Sequence, residues 1–208
     1  MSFRKMSQVL TYAKSILFPS KQDCLEKDLS IKPIEDYYDH WEANNSEKEL
    51  IKLTWSNDFD FLFTLGSNIY IYIFEHNPKM KELFPGVHQY GENWQESKEF
   101  RKQALNFVQT LSFAVKNIYH MDEVADYLYK IGERHVRFAD RGFKPEYWNI
   151  FQDAMEVSLE QQIASLPNFN ESEQHEAIRV WRRLALYLIT HLKRGYFERL
   201  NSNKDITL

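Results

Sequence analysis

The sequence predicts an all-α fold, and three observations carry that expectation. Gly and Pro together number only 12, where average usage gives roughly 25 in a chain of this length, and a β-sandwich needs a turn signal about every ten residues. Apolar residues recur at helical spacing over most of the 208 positions. Hydrophobic residues reach 43% and aromatic ones 15%, which excludes disorder over most of the length and suffices for a core without disulfides. The single cysteine, Cys24, excludes a disulfide scaffold and a cysteine-based zinc site. The apolar runs are far short of a bilayer span.

The first amphipathic pattern (Phe3, Met6, Val9, Leu10, Ala13, Ile16, Leu17) is stopped by Pro19. Residues 20–46 are mixed and polar and read as a linker, so residues 1–46 form an N-terminal extension ahead of a helical domain over 47–200 and a tail over 201–208. Ser46 with Glu49 three residues later is a capping-box pair, which starts a helix near residue 47 with Leu50, Leu53, Thr54 and Trp55 inward. A second helix covers about 59–76 and stops before Asn77-Pro78, because the residue before proline is pushed out of the helical region. Pro78 opens a short helix, where its missing N–H costs nothing, and Pro85-Gly86 ends it. Residues 85–97 read as a loop. A long helix follows over about 97–118 with a clean stripe from Phe100 to Ile118. Asp122 is placed to cap the next helix, whose inner face is Val124, Tyr127, Leu128 and Ile131. Arg141-Gly142 and Pro145 break the chain. Two more helices are expected, over 145–165 and 171–198, separated at Pro167-Asn168.

Charge is uneven. Residues 1–22 hold Arg4, Lys5, Lys14 and Lys21 and no acid, which leaves 22 basic against 30 acidic residues in the remainder. An acidic body argues against a nucleic-acid partner. The basic stretch has three open readings: contact with an anionic membrane surface, a mitochondrial presequence, or packing on the body. A cytoplasmic location with membrane-surface contact is the expectation.

Of seven histidines, one stands apart. Continuing the stripe Val124, Tyr127, Leu128, Ile131 by one helical step lands on His135. Two readings of that imidazole stand together. A core histidine bonded to a backbone carbonyl is much the commoner case; an axial ligand to a buried metal or haem is the sharper one. Rival chemistry is thin. There is no GxGxxG, no phosphate-binding loop, no HExxH and no GxSxG. No Glu-x-x-His pair argues for a helical di-iron site. Tyr70 and Tyr72 face different directions, so one of them can point inward, and Gln103 lies at the edge of its stripe between Phe100 and Phe107.

Taken as a set, these residues resemble a globin over about residues 47–200. Trp55 matches the tryptophan common in the first globin helix, and Gly66, eleven residues on, matches the small residue where the second helix crosses the fifth. Pro78 matches the proline opening the third helix, and Phe84 the phenylalanine that packs on the haem face. His135 matches the proximal histidine, and Phe143 to Phe151 resembles the start of the next-to-last helix.

The resemblance implies a three-over-three helical sandwich around haem b (iron protoporphyrin IX), with His135 as iron ligand. It implies pocket walls from Phe84, Val108, Ile131, Phe143, Trp148 and Phe151. It implies a distal side of Tyr70, Gln103 and Phe107, where Gln103 stands in the place usually held by histidine. An amide is a poor iron ligand, so five-coordinate ferrous haem follows. Oxygen on ferrous iron takes on negative charge, and a hydrogen bond to a charged acceptor contributes roughly 1.5–3 kcal/mol. Two donors, Tyr70 and Gln103, then slow oxygen release by roughly 10²–10⁴-fold. The bulk of Phe107 works against this if it crowds the ligand or turns Tyr70 away. The expected function is reversible, tight binding of oxygen and other diatomic gases. The alternatives are a haem redox protein or gas sensor acting with a reductase partner, and a haem-free helical interaction module. An enzymatic role needs that reductase, since no flavin or nicotinamide motif is present.

Overall fold

The computed structural model describes residues 38–205. The amphipathic stretch at 1–17, Cys24, and the expectations of membrane contact or a presequence lie outside these residues. The described chain forms seven α-helices: α1 (Asn45–Leu53), α2 (Phe59–His76), α3 (Pro85–His88), α4 (Lys98–Lys116), α5 (Met121–His135), α6 (Tyr147–Ala164) and α7 (Glu171–Asp205). Three 3-10 segments, Pro78–Leu83, Gly91–Glu96 and Val136–Arg141, join them. The described residues contain no strand.

Helix α7 is the common support: α5 lies along it, and α6 and α1 pack against it. Helix α2 packs on α6 and carries α4. The result is the expected sandwich of three helices over three. Its core runs through Leu65, Ile69, Ile73, Leu111, Leu128, Leu159, Trp181 and Leu184, all fully buried.

Helix α1 starts earlier than expected. Its capping box is Asn44 with Glu47, not Ser46 with Glu49: the Asn44 N–H donates to Glu47 Oε2 (2.9 Å) and the Glu47 N–H to Asn44 Oδ1 (3.0 Å). Both pairs satisfy the local rule, and Glu47 prevails because it also pairs with Arg183 of α7. Leu53, expected inward, is 68% exposed. Buried Thr54 instead accepts from Trp181 Nε1 (2.8 Å). Trp41 and Ala43, assigned to the extension by the sequence, also belong to this body: Ala43 is buried and Trp41 lies 6.1 Å from the ring of Tyr187.

Helix α2 is capped by Asp58 and ends at His76 before the proline, as expected. Gly66 marks its crossing with α4, where a Cβ would lie 2.5 Å from the Ala104 carbonyl oxygen. Residues 85–97 are not a loop. Pro85 opens α3 rather than ending a helix, and Gly91 turns the chain at φ +56° into the next 3-10 segment. Trp94, packed edge-on against Phe74 and Phe100, draws that segment into the core.

Ser97 caps α4, accepting from the Phe100 N–H at 3.1 Å. Asp122 is not the cap of α5. The cap position is His120, with no side-chain cap bond, and Asp122 sits in the first turn, where its charge suits the helix dipole. Helix α7 runs past 198 to Asp205, into the expected tail. Glu198 accepts from Tyr129 (2.8 Å) and Leu200 packs beside Tyr196, so nothing stops the helix there.

Candidate functional site

The expected site residues fall into two groups of side chains. The first hangs from α2. Its position three turns from the N-terminus of the helix buries Tyr70 to 2% exposure. Four rings surround it: Phe151 at 5.4 Å, Phe74 at 5.6 Å, Phe84 at 5.7 Å and Phe107 at 6.2 Å between centroids. Phe107 of α4 stacks on Phe151 of α6 at 5.5 Å. Gln103, one helical turn before Phe107, donates from Nε2 to the Tyr70 hydroxyl oxygen at 3.0 Å. Among the described residues the Tyr70 hydroxyl hydrogen has no acceptor of its own. Burial pushes the Tyr70 phenol well above its ordinary range, and the Gln103 bond opposes this more weakly. Phe107 therefore does not turn Tyr70 away from Gln103.

The second group surrounds the end of α5. His135 is its last residue and is half-buried. Its Nδ1 lies 2.8 Å from the carbonyl oxygen of Ile131, one turn back. A carbonyl only accepts, so Nδ1 carries the hydrogen and Nε2 keeps a lone pair. Burial lowers the His135 pKa, the Ile131 bond opposes it, and the charges of Arg137 and Arg134 lower it further. Phe143 and Trp148 stand 5.4 Å from the imidazole and Phe138 at 5.6 Å. Tyr196 of α7 completes the group, 6.0 Å from Trp148.

Val108 joins neither group. It is fully buried at the crossing with α2, its Cγ1 3.1 Å from where a Gly66 Cβ would stand. The sequence reading missed Phe74 and Phe138 as ring partners. Phe74 follows Tyr70 by one helical turn and was legible from that spacing; Phe138 lies beyond the helix end, where periodicity says nothing. Among the described residues no three His, Cys, Asp or Glu side chains converge on a metal site. His135 is a solitary imidazole among two half-buried rings, Phe138 and Phe143, and two buried ones, Trp148 and Tyr196.

A globin family model matches residues 67–187 of the chain. The globin-related protein glb-13 of Caenorhabditis elegans is 26% identical over 141 residues, 68% of this chain and 48% of that protein. The chain thus spans about half the length of that curated relative. The crystal structure of a hexacoordinated heme protein from an anhydrobiotic tardigrade, at pH 4, is similar in fold. Its TM-score is 0.62 at 19% identity, covering 73% of this chain and 96% of that one.

Proposed function

The chain belongs to the globin family, and from that premise we propose that it binds haem b through His135 and reversibly takes up oxygen at five-coordinate ferrous iron. The observation that carries the reading is the buried Tyr70 hydroxyl. Its oxygen is already satisfied by Gln103, and its hydrogen is still unused. A buried donor without an acceptor costs about 1–3 kcal/mol, so the site favours an occupant that brings negative charge.

The residues fit the cofactor on its other face as well. A single neutral imidazole suits a metal that arrives with most of its ligands in place. The Ile131 carbonyl holds that imidazole in the tautomer that presents Nε2, and also fixes the plane of the ring. Phe84, Phe107, Phe143 and Phe151 are only partly buried, and their free flanks offer apolar surface to a flat ring. When bound, the haem supplies the iron at which a diatomic gas is held. Everything else is done by the chain: His135 offers the lone pair, the rings exclude water, and Tyr70 donates a hydrogen bond.

Gln103 plays a different part from the second donor the sequence suggests. Its amide hydrogen goes to Tyr70 and aims the phenol hydrogen elsewhere. One donor then slows oxygen release by about 10- to 100-fold, from the 1.5–3 kcal/mol of a charge-assisted bond. Position 103 supplies an amide rather than an imidazole, which supports five-coordination. His40, His76, His88, His120 and His175 are exposed and His191 lies beside Asp39, so none stands in the Tyr70 group.

The test is the absorption spectrum of the haem-loaded ferrous protein before and after oxygen. A five-coordinate spectrum converting to a slowly decaying oxy form is expected. A six-coordinate ferrous spectrum, or no haem uptake, would overturn the proposal. A redox or gas-sensing role with a reductase is favoured by one observation. Rings step from His135 to Trp148, Tyr196 and the exposed Phe197 at 5.4, 6.0 and 5.8 Å. Rapid nitric oxide turnover in the presence of a reductant would select that reading.

A further inference from the structure

A cleft of about 650 Å³ opens between the Val136–Arg141 segment and the C-terminal part of α7. Three arginines line it: Arg134, Arg137 and Arg199. Among the described residues none of the three makes a hydrogen bond or an ion pair. The other arginines of α7 are treated differently: Arg179, Arg182, Arg183 and Arg194 each hold a carboxylate. Glu133 and Asp140 also line the cleft, and neither comes within ion-pair distance of an arginine. The lining thus sets three guanidinium groups against two carboxylates, a net positive concavity in an otherwise acidic body.

One of these guanidinium groups is also held in place. The Phe138 ring has Arg137 at 4.7 Å and Arg141 at 5.3 Å from its centroid, which fixes the first and brings a fourth charge to the area. We infer that this cleft binds a small anion of the polyphosphate class. The size falls in the range of small-ligand pockets, and its concave form suits a small ligand better than a flat protein face. Guanidinium forks match phosphoryl oxygens bidentately, where a lysine would offer only a point charge. Arg134 and Val136 flank His135 in the chain and both line the cleft, so an occupant lies against the turn that carries the proposed iron ligand. That last coupling rests on the haem reading; the binding does not.

The experiment is calorimetric titration of the full chain, without haem, with inorganic tripolyphosphate at low salt and with citrate in parallel. Saturable one-to-one binding of tripolyphosphate is expected, tighter than citrate. It should weaken at least tenfold in the double variant Arg137→Gln/Arg199→Gln and be unchanged in Arg179→Gln, whose arginine is already paired. Heat without saturation, or equal affinity in the double variant, overturns the site. Citrate binding as tightly overturns the polyphosphate assignment. In haem-loaded protein, tripolyphosphate should shift the Soret band. A silent band with binding intact overturns the coupling and leaves the cleft standing, and failure of haem uptake leaves the titration unaffected.

Discussion

A buried phenol that accepts one hydrogen bond and whose own hydrogen meets no acceptor among the described residues makes Tyr70 the residue on which ligand release turns. Tyr70→Phe keeps the ring packing and removes only the donor, so oxygen dissociation measured by stopped flow should speed up about 10- to 100-fold. Gln103→Leu should act in the same direction but less, because it removes the group that aims the donor and not the donor itself. Burial raises the Tyr70 pKa, so the hydroxyl keeps its hydrogen through pH 10 and the dissociation rate should stay flat up to that point. A break in the rate well below pH 10 would contradict this. The inward placing of His135 was legible from helical spacing; spacing left Tyr70 and Tyr72 open, and only the resemblance to globins pointed to Tyr70. The direction of the Gln103 bond was not, because it joins residues 33 apart in sequence and depends on how two helices cross. The same holds for Thr54, whose hydroxyl bonds Trp181 across 127 residues. Thr54→Val leaves the buried indole N–H unpaired and should lower the unfolding free energy by about 1–3 kcal/mol in urea titration.

Among elements, the seat of α5 on α7 is the tightest. A Cβ on Gly132 would strike the Leu192 carbonyl oxygen, and one on Gly195 would strike the Tyr129 carbonyl oxygen. The two backbones touch from both sides, one helical turn before His135. Gly132→Ala must push the helices apart, with an overpacking cost of about 1–3 kcal/mol. It should also shift the iron–histidine vibration in the resonance Raman spectrum of the loaded protein. A lower melting temperature with that band unmoved would mean that the seat stabilises without positioning His135. Helix existence was legible from the apolar stripes, and helix ends less so. The α1 cap was misplaced by two residues because both Asn44/Glu47 and Ser46/Glu49 obey the local rule, and partners far along the chain choose between them: Arg183 holds Glu47, while Tyr119 draws Glu49 away. The 85–97 segment looked like a loop because its glycines and prolines were counted, while the pull of Trp94 toward Phe74 is invisible locally.

For the whole molecule, acid is the weak side. His191 is 2% exposed on α7, beside Asp39 at 3.7 Å and near Arg194, which itself holds Asp39 at 2.9 Å. Burial pushes its pKa down to about 4, Arg194 adds to the shift, and Asp39 opposes it. The unfolded chain takes up the proton near the ordinary value of about 6.5, so between these values the unfolded state binds more protons. Stability is therefore full above about pH 6.5 and falls as pH drops toward 4. Urea midpoints measured across that window should trace the fall, and His191→Leu should make it shallower. His135, whose pKa burial also lowers, adds to the fall in the same direction, so the effect of His191 is read as the difference between the parent protein and His191→Leu.

The glycine contact between α5 and α7 has a mechanical consequence. Two backbones already touching have no void to surrender, whereas loosely filled space yields first when a protein is compressed. Hydrostatic pressure will therefore leave the spacing of α5 from α7 nearly constant. The protein is stiff behind its histidine, and a compressing force leaves the footing of His135 on α7 where it is.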